Sequence, residues 1–351
     1  MQHRARRSLW RTTQLAAAVA LLALLLTSAC SLVHKQVETE KLLTPLVEAT
    51  TPDLIAAVNK LVGVRSIRGR VDIQFEDTSF ETSGIAQKYR TVDGSITLQR
   101  QGKIYLIIQA PVVAADIVQM TSDGEHFRIA ILKGDEKYRR FVIGTNKASY
   151  PKLDMDGASG SSSDKNAKAG SEAQTVNALS NLRPQHLTTA LLLDAIDPHA
   201  TGVLYVQSEF FESEKDPAKS AGNKRIVRGY YLLDELQAGS DNSAKLIRRF
   251  WFDRVGGIRL ARLQSFDDKG VLINDVSYGP LVSFGEGGKV QMPAKVSLTR
   301  PQEHYKIAIT YQAPEALVLD REYPAEAFVL INKWNLPEVD LDAKKNTSPK
   351  N

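Results

Sequence analysis

The chain has 351 residues, 43% of them hydrophobic and 24% charged, with a single cysteine and a formal net charge of +5. This composition excludes a disordered chain and any disulfide within one molecule. Four basic residues, Arg4, Arg6, Arg7 and Arg11, precede Cys30 with no acidic residue among them. The remainder carries 41 basic against 40 acidic residues, so the basicity is no argument for nucleic acid.

After Arg11 comes an apolar run, Leu15 to Leu26, then Thr27, Ser28 and Ala29, and then Cys30. A basic start, a short apolar stretch and small residues before a cut describe a secretory signal peptide over 1–29. A run of that length falls short of the about 20 residues that span a bilayer. The small residues before Cys30 resemble a bacterial lipobox, with Thr27 where that pattern prefers leucine. The resemblance implies cleavage before Cys30 and its acylation, palmitate included. Because Ser31 rather than aspartate follows, it also implies the periplasmic face of the outer membrane. Several chains at about 0.8 kcal/mol per buried methylene hold a protein durably. The alternative is ordinary cleavage after Ala29, leaving Cys30 as a free thiol. Arg6-Arg7 is a partial twin-arginine match, and the Sec route is preferred.

Residues 30–50 read as a lipidated tether with some helical character. In TPDLIAAVNKLVGV, Thr51 is the expected N-cap, Pro52 lies in the first turn and Asp53 lies beside the positive end of the dipole. Leu54, Ile55, Val58, Leu61 and Val62 recur at the spacing of one buried helical face. From Arg65 the period becomes two, with Val71, Ile73 and Phe75 alternating with polar residues. Asp93-Gly94 reads as a turn before Ile96 and Leu98. KIYLIIQAP is apolar on both faces. Ile117, Val118 and Met120 lead to the turn Ser122-Asp123-Gly124, and Phe127, Ile129 and Ile131 follow. Asp154 to Gln174 lacks large apolar residues after Met155, which predicts a flexible loop, taken as an insertion over 154–181.

NLRPQHLTTALLLDAIDP predicts a helix of about 12 residues stopped at Asp197-Pro198. A second β run begins near Val203 and continues through RIVRGYYLLDEL, KLIRRFWFDRV, IRLARLQSFDDKG, VLINDVSYG, MPAKVSLTRP and HYKIAITYQAP. Asp267-Asp268-Lys269-Gly270 and Gly285-Glu286-Gly287-Gly288 mark bends. Pro324 to Trp334 predicts a short helix, and 336–351 a tail. The class is mainly β (α+β): about eleven strands in one antiparallel sheet, since neither half carries its own complement of helices.

His3, His34, His126, His186, His199 and His304 form no metal-spaced pair, and there is no HExxH, no GxSxG and no phosphate loop. The aspartates at 267 and 268 fit a turn better than a calcium site. The expectation is no metal, no cofactor and no enzymatic activity.

The order of elements resembles the LolA/LolB superfamily. IIQAPVVAADIVQMTSDG is similar to the LolB strand, apolar loop, strand and turn. LRPQHLTTALLLDAI is similar to the helix after the first half-sheet, and RFWFDRVGGIRLARLQSFDDKG to the second run. Cys30 adds to the LolB side. This chain is longer, has valine at the loop, and has no family counterpart for Asp154 to Gln174. The resemblance implies an antiparallel half-open β-barrel over 51–335, covered by helices and enclosing an apolar cavity. It implies non-covalent binding of acyl chains of lipoproteins or other lipids and their transfer to the outer membrane, with a periplasmic carrier as a further partner. Pro111, Val112 and Val113 would enter the leaflet, or else form a buried hairpin end. The cavity-lining candidates are Val71, Ile73, Phe75, Leu106, Ile108, Phe127, Ile129, Tyr230, Leu232, Phe250 and Phe252. The lid-helix candidates are Leu54, Val58, Leu61, Leu187 and Leu191. An ordinary packed core is the alternative for all of them. Arg248, Arg249 and Arg262 suit lipid head groups or a solvated outer face. A scaffold lipoprotein gripping a protein partner is the second functional reading; an envelope enzyme acting on lipids lacks a nucleophile signature.

Overall fold

The computed structural model describes residues 40–78, 87–88, 91–110, 115–134, 136–148, 150, 182–216, 224–239, 243–288 and 290–345. Cys30, the loop Pro111, Val112 and Val113, and the 154–181 insertion lie outside them. The chain divides into two compact units, Met1–Lys41 and Leu42–Asn351, and the second holds the fold.

Its long strands are β1 (Ser66–Asp77), β2 (Val92–Gln99), β3 (Lys103–Gln109), β4 (Asp116–Asp123), β5 (His126–Ile131), β6 (Arg140–Thr145), β7 (Val203–Lys215), β8 (Arg225–Ala238), β9 (Ala244–Asp253), β10 (Arg259–Phe266) and β11 (Leu272–Tyr278). After these come a small hairpin of β12 (Leu281–Phe284) and β13 (Val290–Pro293), then β14 (Lys295–Arg300), β15 (Tyr305–Tyr311) and β16 (Glu338–Asp340). Apart from that hairpin, they join in the order β7-β8-β9-β10-β11-β14-β15-β1-β2-β3-β4-β5-β6-β16. Every pairing is antiparallel except the last, β6 with β16. Counting two-residue pieces, the described sheet has 17 strands against about eleven expected; RFVIGT, which forms β6, was not foreseen. β1 is the hinge of the topology, pairing with β15 on one side and β2 on the other. This is what fuses the two β runs into one open sheet.

Register sets one face against the core. Leu233, Phe250, Leu263, Val276, Leu298, Ile307 and Phe75 lie opposite one another across seven successive strands. Ile96, Leu106, Met120, Ile129 and Val142 do the same across five others. All belong to one apolar cluster, so the sheet curls around it. Covering this face are α1 (Thr51–Leu61) and α2 (Pro184–Leu191). The N-cap of α1 is Thr50, one residue before the expected Thr51. Its backbone N–H and its hydroxyl both donate to the Asp53 carboxylate, at 2.8 and 2.6 Å, and these bonds hold Asp53 below the usual carboxylate range. α2 is eight residues long and stops well before Pro198, because Leu192 and Leu193 turn out of the helix to bury their side chains in the core.

Other differences have local causes. Asp93-Gly94 lies inside β2, not in a turn: a Cβ at Gly94 would sit 2.7 Å from the Ile107 carbonyl oxygen, so the glycine permits close pairing with β3. The expected tether is extended rather than helical from Leu42. Leu43 N–H donates to Val227 and Val47 N–H to Arg254. The predicted helix at Pro324–Trp334 is only a 3-10 turn, Ala325–Phe328. Its neighbours cover the outer face of β2 to β6: Leu330 packs with Ala130 and Phe141, and its N–H donates to Thr121 Oγ1 at 3.1 Å. The expected tail contains β16 and a helix, Leu341–Lys345.

Candidate functional site

The candidate site is the inner face of the sheet together with α1 and α2. Val71, Ile73, Phe75, Leu106, Ile108, Phe127, Ile129, Phe250 and Phe252 all lie in its core, each no more than 5% exposed, with Leu54, Val58, Leu187 and Leu191 of the helices. Leu61 is half-buried against them. Tyr230 and Leu232 do not line it. They belong to a separate outer-face cluster with Trp251, while their neighbours Tyr231 and Leu233 point inward. The reason is strand alternation: Leu233 pairs with inward Phe250, which leaves Leu232 opposite outward Trp251. On that outer face Trp251 meets the Phe210 and Tyr230 rings at 5.2 and 5.6 Å. Its indole N–H donates to Gln264 Oε1 at 2.9 Å.

Among the described residues, little space opens where the cavity was expected. Beneath the helices the pocket bordered by Leu61, Leu191, Leu193, Met292, Val296 and Tyr311 has about 10 Å³, scarcely the space of one water. The Tyr311 hydroxyl on this pocket is buried without a hydrogen-bond partner among the described residues, and burial drives its pKa well up.

Polar groups pin the helices at their C-terminal ends. Arg100, from the β2–β3 turn, donates to the carbonyls of Val62, Val64 and Leu193 at 2.6, 2.9 and 2.8 Å, satisfying orphan carbonyls beyond both helices. Asn59 exchanges two hydrogen bonds with the Ile196 backbone. Near the other end of α2, His186 Nδ1 lies 2.9 Å from the Tyr305 hydroxyl. Burial, helped by Arg300 and Arg183, pushes His186 down to about 3, so a neutral imidazole shares this hydrogen bond with a protonated tyrosine. Arg100 was not singled out in the sequence, and His186 was considered there only as one of six histidines without metal spacing.

That histidine gives a pH signature. Between about pH 6.5 and 3 the unfolded chain binds a proton that the folded chain refuses, so stability falls as the pH is lowered through this window. The slope approaches about 1.4 kcal/mol per pH unit. Urea midpoints at pH 7, 6 and 5 should decline, and His186→Asn should flatten that decline; an unchanged slope would show the proton goes elsewhere.

The three arginines read as head-group candidates are already paired: Arg248 with Glu235 at 2.6 Å, Arg249 with Asp234 at 2.6 Å, and Arg262 with Asp275. Among the described residues no group of three His, Cys, Asp or Glu could hold a metal, and no helix is long and apolar enough to cross a membrane.

No protein-family model and no curated protein sequence matches the chain. Among solved structures it is similar to a LolA superfamily protein from Nitrosomonas europaea, at 9% identity and TM-score 0.40, over 81% of this chain and 99% of that one. It is similar to a DUF1329 family protein from Desulfovibrio piger, at 10% identity and TM-score 0.39, over 79% and 95%. A third is a domain from Vibrio parahaemolyticus named for outer-membrane lipoprotein sorting, at 10% identity and TM-score 0.37, over 79% and 94%.

Proposed function

We propose that this protein is a lipid-anchored component of the bacterial envelope. In this reading it takes up acyl chains, of lipoproteins or other lipids, between the two helices and the inner face of the sheet, and passes them to the outer membrane. Cys30 is the anchor, and Pro111, Val112 and Val113 form the part that enters the leaflet. The observation that carries the reading is how the core is closed. An apolar face running across the long strands is covered by helices of only 11 and 8 residues, held at their ends by a few side-chain hydrogen bonds.

Such a lid can swing away at a cost met by burying chains, at about 0.8 kcal/mol per methylene. The partnerless Tyr311 hydroxyl supports the same reading, because an ester or amide carbonyl of acylated cargo is a group that would satisfy it. Native mass spectrometry of the full chain, purified from a bacterial envelope and freed of detergent, is expected to show a stoichiometric lipid adduct. Leu106→Gln, checked for folding by circular dichroism, should lose it. A clean mass that stays clean after incubation with lipoproteins and phospholipids would overturn the carrier reading.

A second reading, a scaffold that binds a protein partner, is favoured by β7. Among the described residues β7 is a free sheet edge of 13 residues, with Leu204, Val206 and Phe210 exposed at 54%, 49% and 40%. Long apolar edges are templates for an added strand. A cross-linked partner lost in Val206→Lys while the lipid adduct persists would establish that role separately.

A further inference from the structure

Beyond the apolar core, a polar pocket of about 240 Å³ opens at the N-terminal end of α2, bordered by Asn146, Lys147, Arg183, Gln185, Arg300 and Glu303. Arg183, the N-cap of α2, is only 7% exposed. Its guanidinium lies over the Phe127 and Tyr150 rings, 5.4 and 5.6 Å from their centroids, and among the described residues its Nη1 has no hydrogen-bond partner. The carboxylate bordering the pocket, Glu303, is already taken: Arg300 grips it through Nε and Nη2 at 3.0 and 2.5 Å and spends Nη1 on Asn274. Among the described residues no carboxylate forms an ion pair with Arg183; Glu303 attracts it only from a distance, and a buried charge without a direct partner is costly.

Two acceptors on the same pocket are also unsatisfied. Gln185 Nε2 donates to the Asn146 carbonyl, which can only accept and so fixes that amide; Asn146 Nδ2 lies against Ser122 Oγ, and among the described residues Gln185 Oε1 and Asn146 Oδ1 have no donor. The pocket thus presents one guanidinium N–H and two amide oxygens together on a single wall.

We infer that the pocket at Arg183 binds an oxyanion that carries its own hydroxyl or N–H donor, such as a phosphate monoester of head-group size. The guanidinium fork matches phosphate oxygens, and Lys147 adds a second cation at the border. At 240 Å³ the space is smaller than the usual 300–1,000 Å³ of drug-sized ligand sites, and suits a head group rather than a nucleotide. The inference does not depend on the acyl-chain reading, because the probes for it carry no chain.

The test is calorimetric titration of the full chain in detergent with glycerol 3-phosphate and with inorganic phosphate, using glycerol as control. Saturable binding of one phosphate probe is expected, about tenfold or more weaker in Arg183→Met. Equal affinity for both probes would identify free phosphate as the source, and preference for glycerol 3-phosphate an ester head group. Gln185→Met keeps the arginine and removes an acceptor, and should weaken the ester severalfold. Arg183→Met should also fold at least as stably as the parent without ligand, since it removes an unpaired buried charge. No binding of either phosphate, or binding unchanged in both variants, would overturn the inference.

Discussion

Phe250→Ala and Trp251→Ala are expected to destabilise the protein by similar amounts, about 3–5 kcal/mol each, while only the first changes acyl-chain binding. The two residues are neighbours on β9 and nearly equally hidden, at 0% and 8% exposure. Phe250 faces the core beneath the helices, between Leu233 and Leu263 on the flanking strands. Trp251 faces outward onto Tyr230, Leu232 and Phe210, with the Arg262 guanidinium 5.1 Å from its ring centroid. Urea unfolding gives the stability loss, and the lipid adduct by native mass spectrometry gives the function. Equal loss of adduct in both variants would mean that binding tracks global stability rather than the inner face.

Arg254→Met is expected to cost about 2–4 kcal/mol and to free the segment that leads into α1. Arg254 is 2% exposed. It donates to Glu48 at 2.6 Å, to Glu209 at 2.8 Å and to the Val47 carbonyl at 3.2 Å, and it stacks 4.1 Å from the Tyr231 ring centroid. Both carboxylates are largely exposed, so losing the arginine leaves them in water; the loss is that of the bonds and the stacking. Limited proteolysis should then cut within 42–50 while the sheet resists. A variant no more cleavable than the parent would show that backbone pairing alone holds this segment.

Because Arg254 ties the chain ahead of α1 to β7 and β9, it also bears on the lid. α1 is suspended between this anchor and the Arg100 cluster at its far end. Uptake of cargo by helix displacement would therefore pivot on these two arginines, and α2 has its own second anchor in the His186–Tyr305 bond.

Local chemistry was legible wherever neighbours in sequence are neighbours in space. Alternation in Val71, Ile73 and Phe75 needs only the two-residue pleat, and these residues do share the inner face. The Asp123-Gly124 turn and the bend at Asp267–Gly270 follow from backbone preference alone, with Gly124 and Gly270 at positive φ. The spacing of Leu54, Ile55 and Val58 placed them on the buried side of a helix.

What the sequence left open was decided by partners far along the chain. Tyr230, Tyr231, Leu232 and Leu233 are all apolar, so alternation carries no parity there; pairing with Phe250 and Trp251 settles which two face inward. Gly94 reads as a turn residue until the Ile107 carbonyl is seen against it. Arg183 in NLRPQHL looks like any polar residue before a helix, and only the rings of Phe127 and Tyr150, brought in from another hairpin, bury it. The volume beneath the helices is likewise a tertiary quantity: the sequence determines that one face is apolar, but the closeness of helix and sheet packing determines whether that face encloses space.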